Sequence, residues 1–315
     1  MAVLSLRNYF PEPFKTIAMK TFSINRITTI LFILFGVVLF SCQKELSSNN
    51  STLVTEEQAS AYSEESTIAE AGFDDAEDIA QTAADEEGNA SEYGINGRGF
   101  HPLFTELRGA IGDCATITVS PNDSTYPKTI TIDFGDSCVG RDGKLRSGAI
   151  IIHLTAPLRR PGSVVTVTFR NFYLNHVKLE GTKTLSNLSV PPAHKWSVQI
   201  TGGKVTFPSG RWYSFEGIKT KTQVAGMDTR TVRDDVYEIE GRSKIEFSNG
   251  TTITLNTETA LVKKASCPWI SDGKLKIKIN DRELFLDYGY PDNGQCDNKA
   301  LLTWNNGNNQ KIIRL

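Results

Sequence analysis

Two segments of similar wording, each bounded by cysteines, constrain the fold of this chain most strongly. The first runs from Cys114 to Cys138 and the second from Cys267 to Cys296. Each contains two stretches of alternating apolar and polar residues with a turn between them, which is typical of a β-hairpin. The second stretch ends on a similar phrase in both, Ile132-Asp-Phe-Gly135 and Leu286-Asp-Tyr-Gly289. The pattern predicts two related hairpins, each with one cysteine before its first strand and one after its second strand.

These four cysteines are interpreted as two disulfides rather than as a metal site. The sequence has no Cys-x-x-Cys motif and no histidine beside any cysteine, and zinc sites usually show such spacings. Four cysteines allow three pairings. We favour Cys114 with Cys138 and Cys267 with Cys296, because both pairs are local and the ends of a hairpin lie within disulfide reach. Disulfides indicate an oxidising compartment.

The N-terminal residues have the pattern of an export signal. Lys20 and Arg26 precede an apolar run over residues 27–40, which is shorter than the 20 or so residues that span a membrane. We therefore expect residues 1–41 to be a signal peptide behind a mis-annotated start, with Met19 as the true start. The alternative is an ordinary signal peptide or an anchor helix, with a chance cysteine at position 42.

The phrase Leu39-Phe-Ser-Cys42 resembles the lipobox of bacterial lipoproteins. The resemblance implies that Cys42 is acylated and attaches the protein to a membrane. Gln43 after that cysteine implies the outer membrane, and the short charged segment from Cys42 to Glu45 resembles the tags that send lipoproteins of Bacteroidota to the cell surface. A periplasm-facing orientation is the alternative.

Residues 42–98 differ from the rest of the chain in composition. The stretch 43–98 holds fourteen acidic and two basic residues. High net charge with few apolar residues predicts disorder, and we interpret the segment as a solvated linker with a short helix around residues 65–84. An interaction helix, or an acidic arm that folds onto the more basic remainder of the chain, is the alternative.

Residues 99–315 show the two-residue period of half-buried strands. Ile130, Ile132 and Phe134 share one face of such a stretch, opposite threonines and an aspartate. Three similar phrases carry a glycine within a strand pattern, at Gly181, Gly217 and Gly241, and such glycines usually mark bulges. We predict an all-β domain of about twelve antiparallel strands in a meander, rolled into a sandwich or a partly open barrel.

The paired-cysteine phrases, together with the wording Cys267-Pro-Trp-Ile and Cys296-Asp-Asn-Lys-Ala, resemble a family of uncharacterised lipoproteins of Bacteroidota. The resemblance extends over most of the chain from about Ala69 onward. It implies a cell-envelope location and supplies no catalytic residues.

Candidate ligand contacts come from two patterns. Trp212 and Tyr213 follow a turn at Pro208-Ser-Gly210, and an exposed aromatic at such a place can stack on a sugar ring. Adjacent strand residues point to opposite faces, so at most one of the two is available. The second pattern is a lysine row that would contact an anionic glycan or protect the sheet surface from unwanted pairing; it comprises Lys274, Lys276 and Lys278.

Three aspartates form a weak candidate calcium site, namely Asp133, Asp136 and Asp142. Asp133 and Asp287 occupy matched positions before a glycine, and capping of strand-end turns is the favoured role for both. No pattern predicts a cofactor, a catalytic residue or nucleic-acid binding. We expect a membrane-anchored protein with a structural or binding role toward a glycan or a partner protein. A glycan-active enzyme and a carrier of an apolar ligand are the alternatives.

Overall fold

The computed structural model describes residues 55–93, 102–229, 231–292 and 294–315. The predicted signal peptide and Cys42 lie outside these residues. Within them the chain forms two helices and fourteen strands. The helices are α1 (Glu56–Tyr93) and α2 (Thr105–Ile111). The strands are β1 (Thr116–Ser120), β2 (Lys128–Asp133), β3 (Cys138–Val139), β4 (Leu145–Leu154), β5 (Val164–Leu174), β6 (Val177–Asn187), β7 (Lys195–Thr206), β8 (Trp212–Ala225), β9 (Val236–Phe247), β10 (Thr252–Lys264), β11 (Ile270–Ile279), β12 (Arg282–Asp287), β13 (Lys299–Trp304) and β14 (Asn309–Arg314).

All fourteen strands belong to one antiparallel sheet in which nearly every strand pairs with its neighbours in sequence. The order is β1-β2-β4-β5 and then consecutively to β14, and β3 adds a short pairing to β4. The sheet is open, because β1 and β14 are not paired with each other. The predicted all-β meander in the form of an open, rolled sheet is confirmed, with fourteen strands where about twelve were expected.

The apolar face of each strand follows from the two-residue period of the sequence. In β2, Ile130 and Ile132 are fully buried, and they pair with Ile152 and Ile150 of β4 in the same layer. Burying an isoleucine side chain contributes about 1.5–3 kcal/mol, so such cross-strand layers supply much of the driving force for the sheet. The same alternation carries Leu275, Ile277 and Ile279 of β11 into the core.

The three glycines predicted as bulges all lie at interruptions of strand register. Gly181 lies at the register shift between β6 and β7, Gly217 at the shift between β7 and β8, and Gly241 at the shift between β9 and β10. At Gly181, φ is +118° and an added Cβ would stand 2.7 Å from the Cα of Gly203. Only glycine fits such a close backbone approach, and the resulting bends let long strands coil.

The helix α1 is enclosed by the sheet. It has 38 residues and is therefore about 57 Å long. From Ala69 to Gly88 every residue is buried except a stripe of half-buried positions three or four residues apart. These positions are Ala71, Asp74, Asp78, Thr82 and Glu86. The solvated-linker interpretation is therefore wrong for residues 56–93, and the alternative of an acidic arm that folds onto the basic part of the chain is the one that the structure bears out.

Small side chains allow α1 to lie close to the strands. Ala69, Ala76, Ala80 and Ala83 are fully buried, and alanine is also the strongest helix former. Phe73 is the large exception. Its ring stacks on Phe215 of β8 at a centroid distance of 5.1 Å and meets Phe169 of β5 edge-on at 5.9 Å.

The short helix α2 is capped by α1. Its N-cap residue, Phe104, has a left-handed backbone and provides no side-chain cap. The carboxylate of Glu86 accepts hydrogen bonds from the backbone N–H groups of Glu106 and Leu107, each at 3.0 Å. Such capping satisfies N–H groups that have no partner within the helix. It fixes α2 beside the half-buried stripe of α1.

Both predicted disulfide pairs are confirmed. Cys114 and Cys138 are bonded, as are Cys267 and Cys296, and the Cα atoms are 5.6 Å apart in each pair. The first pair encloses the β1–β2 hairpin and the second encloses the β11–β12 hairpin. The pairs close loops with sequence separations of 24 and 29 residues. In the chain-entropy model each contributes about 3 kcal/mol or slightly more.

Candidate binding site

Acidic residues of α1 meet basic residues of the sheet in a row of buried ion pairs. The cations occupy inward positions of strands that otherwise carry apolar side chains, and their side chains are at most 12% exposed. The pairs are Glu70–Lys219, Asp75–Arg146, Glu77–Lys183, Glu77–Lys221, Asp78–Lys263 and Glu87–Lys128. Because an isolated buried charge is strongly unfavourable, the helix and the sheet depend on each other for neutralisation.

Glu77 is the central carboxylate of this row. It lies 2.6 Å from the Nζ atom of Lys183 and 2.9 Å from that of Lys221. Burial raises the pKa of Glu77, but the charges of the two lysines outweigh burial and hold the pKa well below its ordinary value. In the same way Glu77 and Asp74 raise the pKa of Lys183 against the opposing effect of burial. These groups are therefore charged and held in the interior.

A cleft of about 420 Å³ opens beside the half-buried stripe of α1. We call it the α1 cleft. Its floor is α1, and its walls come from α2, the turn before β4, residues 232–233 and residues 265–268. The lining residues that matter below are Asp75, Asp78, Ile79, Thr82, Thr105, Glu106, Leu107, Arg141, Asp142, Lys144, Arg146, Val232, Arg233, Ser266, Cys267 and Pro268. Its volume is within the usual range for small-molecule sites.

Both disulfides lie at or beside this cleft. Cys267 of the second disulfide lines it directly. Cys138 of the first lies with its Sγ atom 3.8 Å from the carbonyl oxygen of Ile111, and Ile111 is also part of the lining. Two regions that are far apart in sequence are thus fixed where they form the walls of one site.

A closed ion cluster occupies the deep part of the α1 cleft. The carboxylate of Asp75 accepts hydrogen bonds from Arg146 Nε at 3.0 Å and from Lys144 Nζ at 2.8 Å. The guanidinium group of Arg146 also donates to both oxygens of Asp142, at 3.1 and 2.6 Å. Burial raises the pKa of Asp75, but Arg146 and Lys144 outweigh burial and lower it. This cluster has little charge left for a ligand.

Two arginines stand apart from that cluster. Arg141 pairs with Asp113 at 3.2 Å, and both side chains are mostly exposed, so this ion pair is weak. Arg233 is exposed, and no carboxylate in the described part of the chain lies within ion-pair distance of it. Both arginines line the α1 cleft. Sequence reasoning did not identify either residue, because no local motif surrounds them.

The predicted aromatic pair divides between the two faces of β8. Tyr213 is fully buried, and its hydroxyl donates a hydrogen bond of 2.8 Å to the carbonyl oxygen of Glu65. Trp212 points outward with 40% of its surface exposed. The Nζ atom of Lys204 lies 4.8 Å from the Trp212 ring centroid. The expectation that at most one of the two would face outward is confirmed, and Trp212 lies on the outer face, apart from the α1 cleft.

The lysine row of β11 is largely paired within its own sheet. Lys274 contacts Asp287 at 2.9 Å, and Lys276 contacts Glu283 at 2.9 Å. Lys278 is exposed and stands opposite Glu283 in the strand register. Such neutralised pairs favour a protective role at the sheet surface over the contact with an anionic ligand.

The matched aspartates cap turns as expected. Asp133 accepts a hydrogen bond of 2.9 Å from the backbone N–H of Gly135, and Asp287 accepts one of 3.0 Å from that of Gly289. Asp133 also pairs with Arg170, whereas Asp142 pairs with Arg146. Asp133, Asp136 and Asp142 do not converge on a site, and the described residues contain no cluster of three or more histidine, cysteine or acidic side chains suited to a metal ion.

Comparison with family models, with curated proteins and with solved structures finds no match to this chain. In the described part of the chain, neither helix combines the length and the apolar character needed to cross a membrane. The residues of the site therefore have to be interpreted from their own chemistry.

Proposed function

We propose that this protein is a membrane-anchored lipoprotein of the cell surface that binds a glycan. The anchor rests on the lipobox ending at Cys42, and the oxidising location is supported by the two disulfides. The observation that carries the binding role is the α1 cleft, a concave site between two disulfide-fixed walls with apolar side chains and unengaged polar groups. The exposed Trp212 on the outer face supplies a second surface of the kind that stacks on sugars.

The position of α1 supports surface binding over transport of an apolar ligand. A carrier would need an empty apolar space inside the rolled sheet. In this chain α1 occupies that space, with Phe73, Ala76 and Ala80 fully buried and ion pairs to strands around it. The accessible sites are consequently at the surface.

An enzymatic role finds one point of support, which is a pair of carboxyl groups with raised pKa. Burial raises the pKa of Asp235 to about 6 and also raises that of Asp85, and Arg159 lies between them. General acids have such pKa values. Both carboxyl groups are almost fully buried, however, and both pair with Arg159. This arrangement favours a structural role and makes binding the better-supported function.

The anchor is tested by replacing the acylated residue. Thirteen residues separate Cys42 from Glu56, so a lipid on Cys42 would be within about 50 Å of the start of α1. Cys42→Ala should release the protein from membranes in cell fractionation, and the unaltered protein should be removed from intact cells by added protease. Membrane retention of the variant would contradict the anchor. Protease resistance that disappears only after permeabilisation would indicate the periplasm-facing orientation.

Glycan binding is tested with the chain from residue 43 onward, which keeps α1 in place. We expect retention of one class of bacterial or host polysaccharide on a glycan array. The heat-denatured protein is the control for nonspecific adsorption. If no glycan is retained while the protein captures a defined partner protein from its own cell envelope, the glycan assignment is wrong.

A further inference from the structure

We infer that the α1 cleft recognises an acidic sugar, whose carboxylate or sulfate group binds Arg141 and Arg233. This inference rests on the proposed glycan-binding function and assigns both the ligand class and the residues that select it. The lysine row of β11, the surface that the sequence offered for an anionic ligand, is replaced in this role by two arginines that no sequence motif connects.

The acidic and basic residues of the cleft lining are equal in number, and most of them are paired. The deep carboxylates Asp75 and Asp142 are bound by Arg146 and Lys144, and Asp78 is bound by Lys263 at 2.6 Å. These groups neutralise one another and offer little net charge to a ligand.

One further carboxylate lines the cleft but is not presented to it. Glu106 accepts a hydrogen bond from the hydroxyl of Thr231 through Oε1, and its Oε2 atom is buried away from solvent without a hydrogen-bond partner. Among the charged residues of the lining, Arg141 and Arg233 are the two with exposed side chains, and both are positive.

The chemistry of the two arginines favours a carboxylate or a sulfate. A guanidinium group is planar, permanently charged and able to donate two parallel hydrogen bonds to two oxygens of such an anion. The Arg141–Asp113 pair is exposed on both sides, so an incoming anion can displace Asp113 at small cost.

The rest of the lining suits a sugar. Thr105 and Ser266 have exposed positions in the cleft and offer hydroxyl groups that can donate to or accept from sugar hydroxyls. Ile79, Leu107 and Val232 form an apolar backing to these groups, although only a small fraction of each is exposed. The volume of about 420 Å³ allows a small saccharide and excludes a long polysaccharide segment.

The test compares acidic and neutral sugars on matched variants of the chain from residue 43 onward. The probes are digalacturonate, a sulfated chondroitin disaccharide and neutral galactobiose, titrated by calorimetry at 50 and 300 mM salt. The variants are Arg141→Gln, Arg233→Gln and their combination. Arg242→Gln is the matched control, because Arg242 is also an exposed arginine but lies on β9 outside the cleft.

We expect at least one acidic probe to bind at least tenfold more tightly than galactobiose and to weaken on addition of salt. The double variant should lose at least tenfold in affinity for that probe, while Arg242→Gln should change it by less than twofold. Equal binding of acidic and neutral probes, or an unaltered affinity in the double variant, would overturn the assignment to this cleft and leave glycan binding in place. Absence of binding to all three probes and to the array would overturn both proposals.

Discussion

Ion pairs of the same chemical kind occur in two regions of this protein and have different consequences. Between α1 and the sheet, Glu77 is enclosed with Lys183 and Lys221, whose side chains are 1% and 3% exposed. On the outer face of β11 and β12, Lys276 and Glu283 form a pair of the same length as that of Glu77 with Lys221, but 31% and 47% of their side chains are exposed. Water screens the outer pair, whereas the inner charges have only each other.

The comparison teaches that acidic composition does not by itself indicate a solvated segment. The acidic stretch of α1 folds into the interior because basic residues stand at inward positions of the strands around it. The largest test is therefore removal of the helix. Residues 99–315 alone should fail to fold, since Lys183, Lys221 and Lys263 would lose their carboxylates.

This outcome can be measured by near-ultraviolet circular dichroism and by limited proteolysis, with the chain from residue 43 onward as the reference. A synthetic peptide of residues 55–93 should restore protection when it is added during refolding. A cooperative unfolding transition in residues 99–315 without the peptide would show that the sheet does not need α1.

The next prediction concerns single carboxylates in the two regions. Glu77→Gln leaves the buried Lys221 without its carboxylate and leaves Lys183 with Asp74 alone, and it should lower the free energy of unfolding by about 3–5 kcal/mol. Glu283→Gln, the matched change on the outer face, should lower it by less than about 1 kcal/mol. Urea denaturation measures both. Similar losses in the two variants would remove the distinction between the regions.

Removing the second disulfide, which lies at one wall of the α1 cleft, should lower the free energy of unfolding by less than the removal of a buried carboxylate. Replacing Cys267 and Cys296 by serine removes a covalent closure of the β11–β12 segment. Stability should fall by about 3 kcal/mol in the chain-entropy model, and the far-ultraviolet circular dichroism spectrum should be unchanged.

Non-reducing peptide mapping of the unaltered protein should recover Cys114 linked to Cys138, and a Cys114–Cys267 peptide would contradict the pairing.

The smallest expected effect is on the pH dependence of stability. It distinguishes a buried carboxyl group whose pKa is raised, Asp235, from one whose pKa is lowered by neighbouring lysines, Glu77. Burial raises the pKa of Asp235 to about 6 from the ordinary 3.8, although Tyr237 and Gln223 donate hydrogen bonds to it and Arg159 lies 3.5 Å away. The folded state thus binds this proton more tightly than the unfolded chain. The contribution of Asp235 to stability is complete below pH 3.8 and is lost as the pH rises through about 6.

For Glu77 the sign is the opposite, because its pKa in the folded state is lowered. Its contribution is present above the ordinary value of 4.5 and is lost as the pH falls below that value. Asp235→Asn should therefore reduce the loss of stability between pH 4 and pH 6.5, measured as the urea midpoint, relative to the unaltered protein. An unchanged slope would show that Asp235 is not the group responsible; Asp85, whose pKa burial also raises, would then be the next residue to replace.

Some information about the interior was present in the sequence but had no clear interpretation. Lys183 of β6 is two residues from the buried Leu185, and Lys221 of β8 is eight residues from the buried Tyr213. In a strand, residues an even number apart face the same side, so both lysines face inward. Basic residues at such positions predict a buried anion. The acidic residues of α1 are the carboxylates that could meet this requirement. Matching the inward-facing lysines with this acidic segment would have placed α1 in the core.

The sequence by itself determined the strand faces and the bulges at Gly181, Gly217 and Gly241, because each depends on a period of two or on contacts close in the chain. It also favoured the observed disulfide pairing and limited the outward-facing aromatic to Trp212 or Tyr213, and the structure chose in both cases. Only the tertiary structure decided that α1 is enclosed and that Arg141 and Arg233 line one cleft. Those arrangements depend on how far the sheet curls and on which distant charges meet. Both are settled by packing and by the cost of burying unpaired charge, and no local stretch of sequence records them.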